Sequence, residues 1–325
     1  MSKKINNRIL LIVLLGLVAV LVLTRLLTYK RSVRTLDTEL VGIDTAAVTS
    51  MILYPKAEHG SKLVFDRNGT NWTVSKDERS ASADASAVRR SLAALLNMKT
   101  ERLVSRAKDK WSDYSVNDSL GTRVEIREGK KKTLDLVLGR FDYKPPPGGY
   151  QGYGQNQVTG VTYVRKAGQN EVYAVEGFLG MNFNQNFNTW RNQNLLNLST
   201  SKLSKIVYDY PADSGFIAQK SANGWMVAGL SADSTAMAKF LSSISRKRSS
   251  EFVDDYKPPA SPDYQVTFEG ENMTPIQIKA YRRGENDFIL NSSINPESWF
   301  HSQGQGLFSQ LFKRPGELLG QGKDE

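Results

Sequence analysis

The feature that most constrains the fold is a pattern of strands and one helix that occurs twice along the chain. SADASAVRRSLAALL begins at Ser82, and SADSTAMAKFLSSI begins at Ser231 with the same three residues. A hairpin with an Asn-Gly turn precedes each stretch and carries a tryptophan, Trp72 or Trp225, in its second strand. Asn-Gly tolerates the positive φ that tight hairpin turns require. The sequence therefore predicts two related folding units.

Each repeated stretch is predicted to begin a helix. Asp84 and Asp233 stand where an N-cap carboxylate can accept hydrogen bonds from N–H groups of the first turn. Apolar residues then recur at helical spacing, and Leu92 and Leu241 occupy matching positions. We expect both leucines and both hairpin tryptophans to lie in the core, each tryptophan packed on the helix of its own unit.

Strands with alternating apolar residues follow each helix, at Arg123–Gly139 and at Gln265–Tyr281. Each unit is therefore predicted to be a β-β-β-α-β-β-β module, and the fold class to be α+β with an internal duplication. The expected boundaries are 47–180 for the first module, 181–202 for a linking segment, 203–300 for the second module and 301–325 for a polar C-terminal tail.

The N-terminal residues predict a membrane anchor. Ile9–Thr24 contains no charged residue, and a spanning helix needs about 20 residues. We expect a basic tail at 1–8, a single transmembrane helix at 9–29 and a tether at 30–46. A cleaved signal peptide is the alternative, but no small-residue cleavage site follows the run. Basic residues lie on both sides of it, so the positive-inside rule nearly ties. Our expectation is that the tail stays inside and the rest is exported.

The positive charge of the chain does not indicate nucleic-acid binding. The net charge is +10, and residues 1–34 supply seven Lys or Arg and no Asp or Glu. That excess flanks the apolar run, where cationic side chains meet lipid headgroups. The clusters Lys130–Lys132 and Arg246–Arg248 have no interleaved aromatics, which is typical of solvated turns or helix ends. No nucleic-acid partner is expected.

No residue pattern predicts a catalytic or metal site. The chain has no cysteine, and its two histidines, His59 and His301, fall in different modules. Ser199–Lys202 matches SxxK, but the companion motifs of Ser/Lys acyl-transfer enzymes are absent. Asp254–Asp255 would point to opposite faces of a strand. We therefore expect a non-enzymatic protein without a cofactor. An envelope hydrolase or glycan-processing enzyme that uses the Ser/Lys pair or scattered carboxylates remains the alternative.

The segment Phe141–Gly160 is the predicted partner site. It interrupts the first module between a strand that ends near Gly139 and one that begins at Val161, and the second module has no counterpart. Prolines stiffen its start, and tyrosine rings bind well at modest entropy cost. The candidate contact residues are Tyr143, Tyr150 and Tyr153. A loop that merely covers the fold is the alternative.

Several motifs together resemble a bacterial family known as the domain of unknown function 4340. The resemblance covers nearly the whole chain after the apolar run. It is carried by the hairpins NGTNW and NGWMV, the helix openings SADASAV and SADSTAM, and the stretches DYSVNDSLGTRVEI, NTWRNQNLLNLS and FILNSSINPESWF. The family usually has Tyr-Gly where Tyr114-Ser115 stands, so the turn there is expected to differ.

The resemblance implies a membrane-anchored, extracytoplasmic α+β protein of the bacterial inner membrane, with its soluble part in the periplasm. Members are often fused to, or encoded beside, ABC-transporter components of the gliding-motility type in Bacteroidetes. No catalytic residues are implied. The expected function is that of an accessory protein which binds an ABC transporter or a gliding-type envelope complex. An adaptor that faces the cytoplasm is a third possibility, and it differs only in topology.

Overall fold

The computed structural model describes residues 17–18, 40–144 and 159–321. The chain divides into two compact units, and each is built from two stretches of sequence. The first unit comprises Met1–Val64 and Arg89–Gln185, and the second comprises Phe65–Val88 and Asn186–Glu325.

Nine strands form the first sheet. In chain order they are β1 (Val48–Tyr54), β2 (Leu63–Asn68), β3 (Asn71–Lys76), β4 (Arg79–Ser82), β5 (Thr100–Ser105), β6 (Thr122–Glu128), β7 (Lys131–Lys144), β8 (Thr159–Lys166) and β9 (Val172–Glu176). Their order across the sheet is β4-β3-β2-β1-β6-β7-β8-β9-β5. The alternation in β7 buries Leu134, Leu136 and Leu138 on one face, as its period-two pattern requires.

Eight strands form the second large sheet, and two short strands pair separately. The short pair is β10 (Asn194–Asn197) with β15 (Arg246–Arg248). The large sheet contains β11 (Leu203–Asp209), β12 (Phe216–Ser221), β13 (Gly224–Val227), β14 (Leu230–Ser231), β16 (Tyr264–Gly270), β17 (Ile276–Gly284), β18 (Asp287–Ser292) and β19 (Asn295–Gln303). Its order is β14-β13-β12-β11-β16-β17-β18-β19. The basic cluster at β15 is therefore a strand, and its prediction as a turn or helix end is wrong.

Two of the described helices are long enough to be amphipathic. They are α1 (Ala85–Leu96) and α4 (Ser234–Ile244); the others are α2 (Leu179–Phe183), α3 (Phe187–Trp190), α5 (Leu307–Leu311) and α6 (Pro315–Leu318). The helix α4 buries Met237, Phe240 and Ile244, which recur at the spacing of one helical face. The helix α1 likewise buries Leu92 and Leu95.

The predicted α+β fold class is wrong, because the structure is mostly antiparallel sheet. Of the described residues, 46% lie in strands and 19% in helices. Each long helix follows four strands rather than three, and five strands come after it. The additional strands before the helices are β4 and β14, which are short and lack an alternating apolar pattern. The predicted seven-element modules are therefore replaced by two mainly antiparallel sheets.

The structure also does not support the N-terminal transmembrane helix that formed part of the predicted architecture. Within residues 17–18, 40–144 and 159–321, no helix is both long enough and apolar enough to cross a membrane. Apart from Leu17 and Val18, the predicted anchor at 9–29 lies outside the described residues. The tail at 1–8 and residues 30–39 of the tether also lie outside the described residues.

The predicted core residues differ in burial. Trp72 is 4% exposed and Leu92 is 3% exposed, so both are buried. Trp225 and Leu241 are only partly buried and pack against the core of the second unit. Trp225 lies in β13, beside the two-residue edge strand β14, and this short strand leaves much of its surroundings open. Trp225 is therefore less buried than Trp72, although it also packs on a core cluster.

The two edges of the eight-stranded sheet are closed in different ways. The edge strand β14 has only two residues. Along the other edge, formed by β19, the segment Glu251–Val253 forms backbone hydrogen bonds with the strand. Val253 N–H donates to Trp299 O at 2.9 Å, and His301 N–H donates to Glu251 O at 2.8 Å. An isolated bridge joins Phe252 to Phe300 between these bonds.

Candidate functional site

The hairpin of β7 and β8 runs further than the sequence predicted. β7 continues past Gly139 to Lys144, and β8 already begins at Thr159. Tyr143 pairs with Gly160 in this extension. The two ends of the predicted insertion are therefore strands. Residues 145–158, which include Tyr150 and Tyr153, lie outside the described residues.

Aromatic rings gather on one face of this hairpin. Phe141 and Tyr143 are two residues apart in β7, so their side chains share a face. Their ring centres are 5.8 Å apart, and Phe178 lies 5.4 Å from the first ring and 5.6 Å from the second. These separations are favourable for aromatic pairs. We call Phe141, Tyr143 and Phe178, together with Met181 of α2, the aromatic surface.

The aromatic surface depends on a glycine. A Cβ added at Gly160 would lie 2.4 Å from Cε1 of Phe178, so only glycine leaves room for this ring. The backbone is also tied there, because Gly177 N–H donates to Gly160 O at 2.7 Å. Thr162 Oγ1 also donates a hydrogen bond of 2.6 Å to Gly177 O. The position of Phe178 is thus fixed by backbone close to the hairpin.

The opposite face of the hairpin carries charged side chains of β7 beside the buried Val161 and Tyr163 of β8. Asp142 forms an ion pair with Arg140 and accepts a 2.8 Å hydrogen bond from Tyr163 Oη. The Arg140 guanidinium lies 5.0 Å from the centre of the Tyr163 ring. Burial, followed by the hydrogen bond to Asp142, raises the pKa of Tyr163 above its ordinary value. This phenol therefore stays protonated, and its hydrogen bond to Asp142 stabilises the position of β7. Lys144 also pairs with Glu101 at 2.9 Å.

A shallow cleft of about 330 Å³ adjoins the aromatic surface. Phe141 and Met181 line it together with Lys56, Arg140 and Asn184. Asn184 Oδ1 accepts a hydrogen bond of 2.9 Å from Ala57 N–H, which fixes one wall. The lining of the cleft combines apolar side chains with two cationic ones, those of Lys56 and Arg140. Such a surface suits contact with another protein.

Tyr143 and Met181 give the aromatic surface its solvent-exposed apolar area. Their exposed fractions are 69% and 55%, whereas most large apolar side chains of the first unit are covered. Tyr143 was predicted as a contact residue from the sequence. Phe178 and Met181 were not, because neither belongs to the Phe141–Gly160 segment. Gly177, which precedes Phe178, has a φ of 104°, a conformation that glycine adopts readily, but this marks a bend of the backbone rather than the contact with Gly160.

The residues of the enzymatic alternative do not converge. Ser199 and Lys202 lie in an exposed turn, in which Lys202 N–H donates to Ser199 O at 3.0 Å. Ser199 Oγ is hydrogen bonded to Ser201 Oγ, also at 3.0 Å. A nucleophilic serine needs a base within hydrogen-bond reach, and this hydroxyl has another serine instead. The SxxK match therefore describes a turn.

The histidines and the carboxylate pair also have separate positions. His59 is exposed in a turn, while His301 Nε2 is 2.8 Å from Asp287 Oδ1. Asp254 and Asp255 lie in a turn rather than in the predicted strand, and Asp254 forms an ion pair with Arg191. Within the described part of the chain, no group of three or more His, Cys, Asp or Glu is placed to hold a metal ion.

Both predicted cap residues lie at helix N-termini. Asp84 Oδ1 accepts hydrogen bonds from Ser86 N–H at 3.0 Å and from Ala87 N–H at 3.1 Å. Asp233 Oδ1 accepts one from Ala236 N–H at 2.7 Å. These are the bonds that an N-cap carboxylate makes.

Comparison with protein families connects the chain to one of them. The model of the family described as Domain of unknown function (DUF4340) matches residues 72–267, which is more than half of the 325 residues. A comparison with curated proteins and another with solved structures gave no match. The family resemblance inferred from the hairpin, helix and link motifs is confirmed. The chain therefore belongs to the DUF4340 family.

Proposed function

We propose that this chain is a non-enzymatic accessory protein of the bacterial cell envelope that binds protein partners through the aromatic surface of its first unit. The supporting observation is the 69% exposure of Tyr143 beside two rings that hold it. A ring fixed by its neighbours loses little conformational entropy when a partner covers it. Tyrosine and methionine are both enriched at protein interfaces.

The partners that we propose are subunits of an ABC transporter or of a gliding-type envelope complex. The compartment that we propose is the periplasmic side of the inner membrane. The family resemblance supports both proposals, since it implies that members are often fused to, or encoded beside, ABC-transporter components of the gliding-motility type in Bacteroidetes. The turn geometry of Ser199 and Lys202 gives the enzymatic alternative no support.

Site-specific cross-linking tests the partner surface. A photoreactive phenylalanine analogue at position 143 is expected to form adducts with transporter or gliding-complex subunits in native membranes. The matched control places the same analogue at Leu230, which is 58% exposed in the second unit. Identical adducts at both positions, or none at position 143, would contradict the proposed surface.

Reporter fusions test the compartment. Alkaline phosphatase fused after Lys76 or after Lys247 should be active, because the enzyme folds only when exported. Both positions follow the apolar N-terminal run in the sequence. A single-pass topology therefore places both on the same side of the membrane and predicts the same result for both fusions. Activity of a cytoplasmic reporter at these positions, with inactive phosphatase, would place the units inside the cell.

A further inference from the structure

A second cleft, in the other unit, has a different chemistry. It has a volume of about 450 Å³, within the size range of small-molecule sites, and several elements of the second unit line it. The helix α4 supplies Lys239 and Ser243, β15 supplies Lys247, and the C-terminal helices and their connection supply Gln310, Lys313 and Glu317. We call this cleft the lysine groove.

The positive charge of the lysine groove exceeds its negative charge. It contains three lysines and a single carboxylate, that of Glu317. This carboxylate is already used: Oε1 pairs with Lys313 Nζ at 3.0 Å, and Oε2 accepts the N–H of Arg314 at 2.9 Å. Lys247 Nζ donates instead to the neutral amide oxygen of Gln310 at 2.6 Å. A positive charge next to a neutral acceptor still attracts an anion.

The surroundings of Lys247 disfavour the charged form of its side chain. Burial, followed by the nearby positive charge of Lys313, lowers the pKa of Lys247 below its ordinary value. A bound anion would offset both effects, because it supplies a counter-charge at short range. The lysine pair is therefore arranged so that an added negative group stabilises it.

The lysines that face this groove are held by backbone contacts. Lys247 pairs with Leu196 in the two-stranded sheet. The backbone carbonyl of Lys313 accepts a hydrogen bond from Tyr210 Oη at 2.8 Å. The floor is fixed too, since Leu318 O accepts from Asp233 N–H at 3.1 Å. A site that is already ordered loses less entropy when a ligand binds.

The floor of the groove is apolar. Phe240 is 5% exposed and Leu318 is 1% exposed, and Ala236 completes this side. Cationic groups above an apolar floor match a ligand that carries a compact anionic group on a hydrocarbon stem. A fully inorganic ion would use the lysines alone.

We propose that the lysine groove of the second unit binds an organic oxyanion, with its phosphate or carboxylate group between Lys247 and Lys313 and its apolar stem against Phe240 and Leu318. This site is separate from the aromatic surface and does not depend on the partner function proposed above.

Calorimetric titration of the purified full chain tests this proposal. The probes are hexyl phosphate, hexanoate and inorganic phosphate. We expect one or both of the hexyl probes to bind, and inorganic phosphate to bind more weakly than hexyl phosphate because it lacks the stem. Preference between hexyl phosphate and hexanoate identifies the anionic group. Absence of binding for both hexyl probes at millimolar concentration overturns the proposal.

Variants separate the groove from general charge effects. The double variant Lys247→Gln/Lys313→Gln should weaken binding by at least about tenfold, the usual effect of losing a charged hydrogen bond. Gln310→Glu keeps both lysines and adds a competing carboxylate, so it should weaken binding while α4 stays folded. The control Lys220→Gln removes an exposed lysine of β12 that does not line the groove. Equal losses in the control and the double variant overturn the proposal, and so does unchanged binding in both groove variants.

Discussion

Arg191 and Asp254, which are far apart in sequence, are joined by a 2.6 Å hydrogen bond from Nη1 to Oδ1. The guanidinium lies 3.7 Å from the centre of the Phe252 ring, and its side chain is only 6% exposed. Its Nε is buried and has no hydrogen-bond partner among the described residues. The charge of Arg191 therefore depends strongly on this one carboxylate.

Asp254→Ala should destabilise the protein, because it leaves the buried guanidinium without its counter-charge. We expect the free energy of unfolding to fall by about 2–3 kcal/mol, below the value for a fully buried pair because Asp254 is 30% exposed. Urea denaturation measures this loss. The control Asp255→Ala changes an exposed neighbour and should stay within about 0.5 kcal/mol of the wild type. Equal losses in both variants would show that the ion pair contributes nothing specific.

The carboxylate of Asp135 predicts a dependence of stability on pH. Burial alone would raise its pKa, but hydrogen bonds from Arg123 at 2.9 and 2.8 Å and from Lys132 at 2.6 Å outweigh this and lower the pKa below 3.8. A lowered pKa in the folded state contributes stability above the unfolded pKa. That contribution is lost as the pH falls through the folded value.

Asp135→Asn should therefore be destabilised most at neutral pH, by about 2 kcal/mol. The difference from the wild type should shrink as the pH falls below 3.8, because the carboxyl of the unfolded wild type then binds a proton and that of the folded wild type follows at lower pH. Urea denaturation at pH 7 and at pH 3 gives both differences. The control Asp66→Asn, at an exposed position, should stay within about 0.5 kcal/mol of the wild type at pH 7. A deficit of Asp135→Asn that is the same at both pH values would refute the assignment.

The two helix caps should differ in strength. Asp84 caps α1 and also accepts a 2.9 Å hydrogen bond from Arg248 Nη2. The Asp233 side chain caps α4 through its hydrogen bond from Ala236 N–H, without such an arginine contact among the described residues. Asp84→Ala should cost about 2 kcal/mol and Asp233→Ala about 1 kcal/mol, as judged by denaturation. Asparagine keeps the cap without the charge, so Asp233→Asn should resemble the wild type while Asp84→Asn is intermediate. The reverse order would mean that the Arg248 contact is not stabilising.

The two tryptophans should differ in the same kind of measurement. Trp72→Ala should lower the free energy of unfolding by about 3–5 kcal/mol, because its side chain is buried. Trp225→Ala should cost less, about 1–3 kcal/mol, since its ring is partly exposed beside β14. Comparable losses would indicate that the environment of Trp225 is closed in solution.

A backbone position offers a stabilising change. Ser115 has a φ of 55°, in the left-handed region that favours glycine. Ser115→Gly should raise the free energy of unfolding by up to about 1 kcal/mol. Ser119→Gly is the matched control, because Ser119 is not among the residues with positive φ, and it should be neutral or destabilising. Thermal unfolding of both variants compares them, and destabilisation by Ser115→Gly would contradict the argument.

Local patterns predicted much of the strand and helix content. The Asn68-Gly69 turn joins β2 to β3, and Gly69 has the expected positive φ of 61°. The helix openings after Asp84 and Asp233 lie where capping and apolar spacing indicate them. These features depend on residues close in sequence, so the sequence alone carries their signal. The short strands β4 and β14 have no such pattern, because they are only four and two residues long and hold no buried side chain.

The two sites show why the rest was not predictable. The lysine groove combines Lys239, Lys247 and Lys313, and only the fold brings these together. The aromatic surface could be predicted at Tyr143, which lies two residues before the prolines 145–147. The contribution of Phe178 depends on the missing side chain of Gly160 in a neighbouring strand. Residue spacing contains no information about such tertiary contacts.

The closed edges of the eight-stranded sheet determine how this unit can recognise another molecule. An exposed edge strand offers a row of unpaired amides to which a foreign strand can add. Here one edge is only Leu230–Ser231, and at the other the backbone of Glu251–Val253 pairs with the stretch Trp299–His301. Strand addition, whether by a ligand peptide or by an aggregating copy, is disfavoured at both edges. Recognition by the eight-stranded sheet is therefore expected to rely on side chains rather than on the addition of a strand.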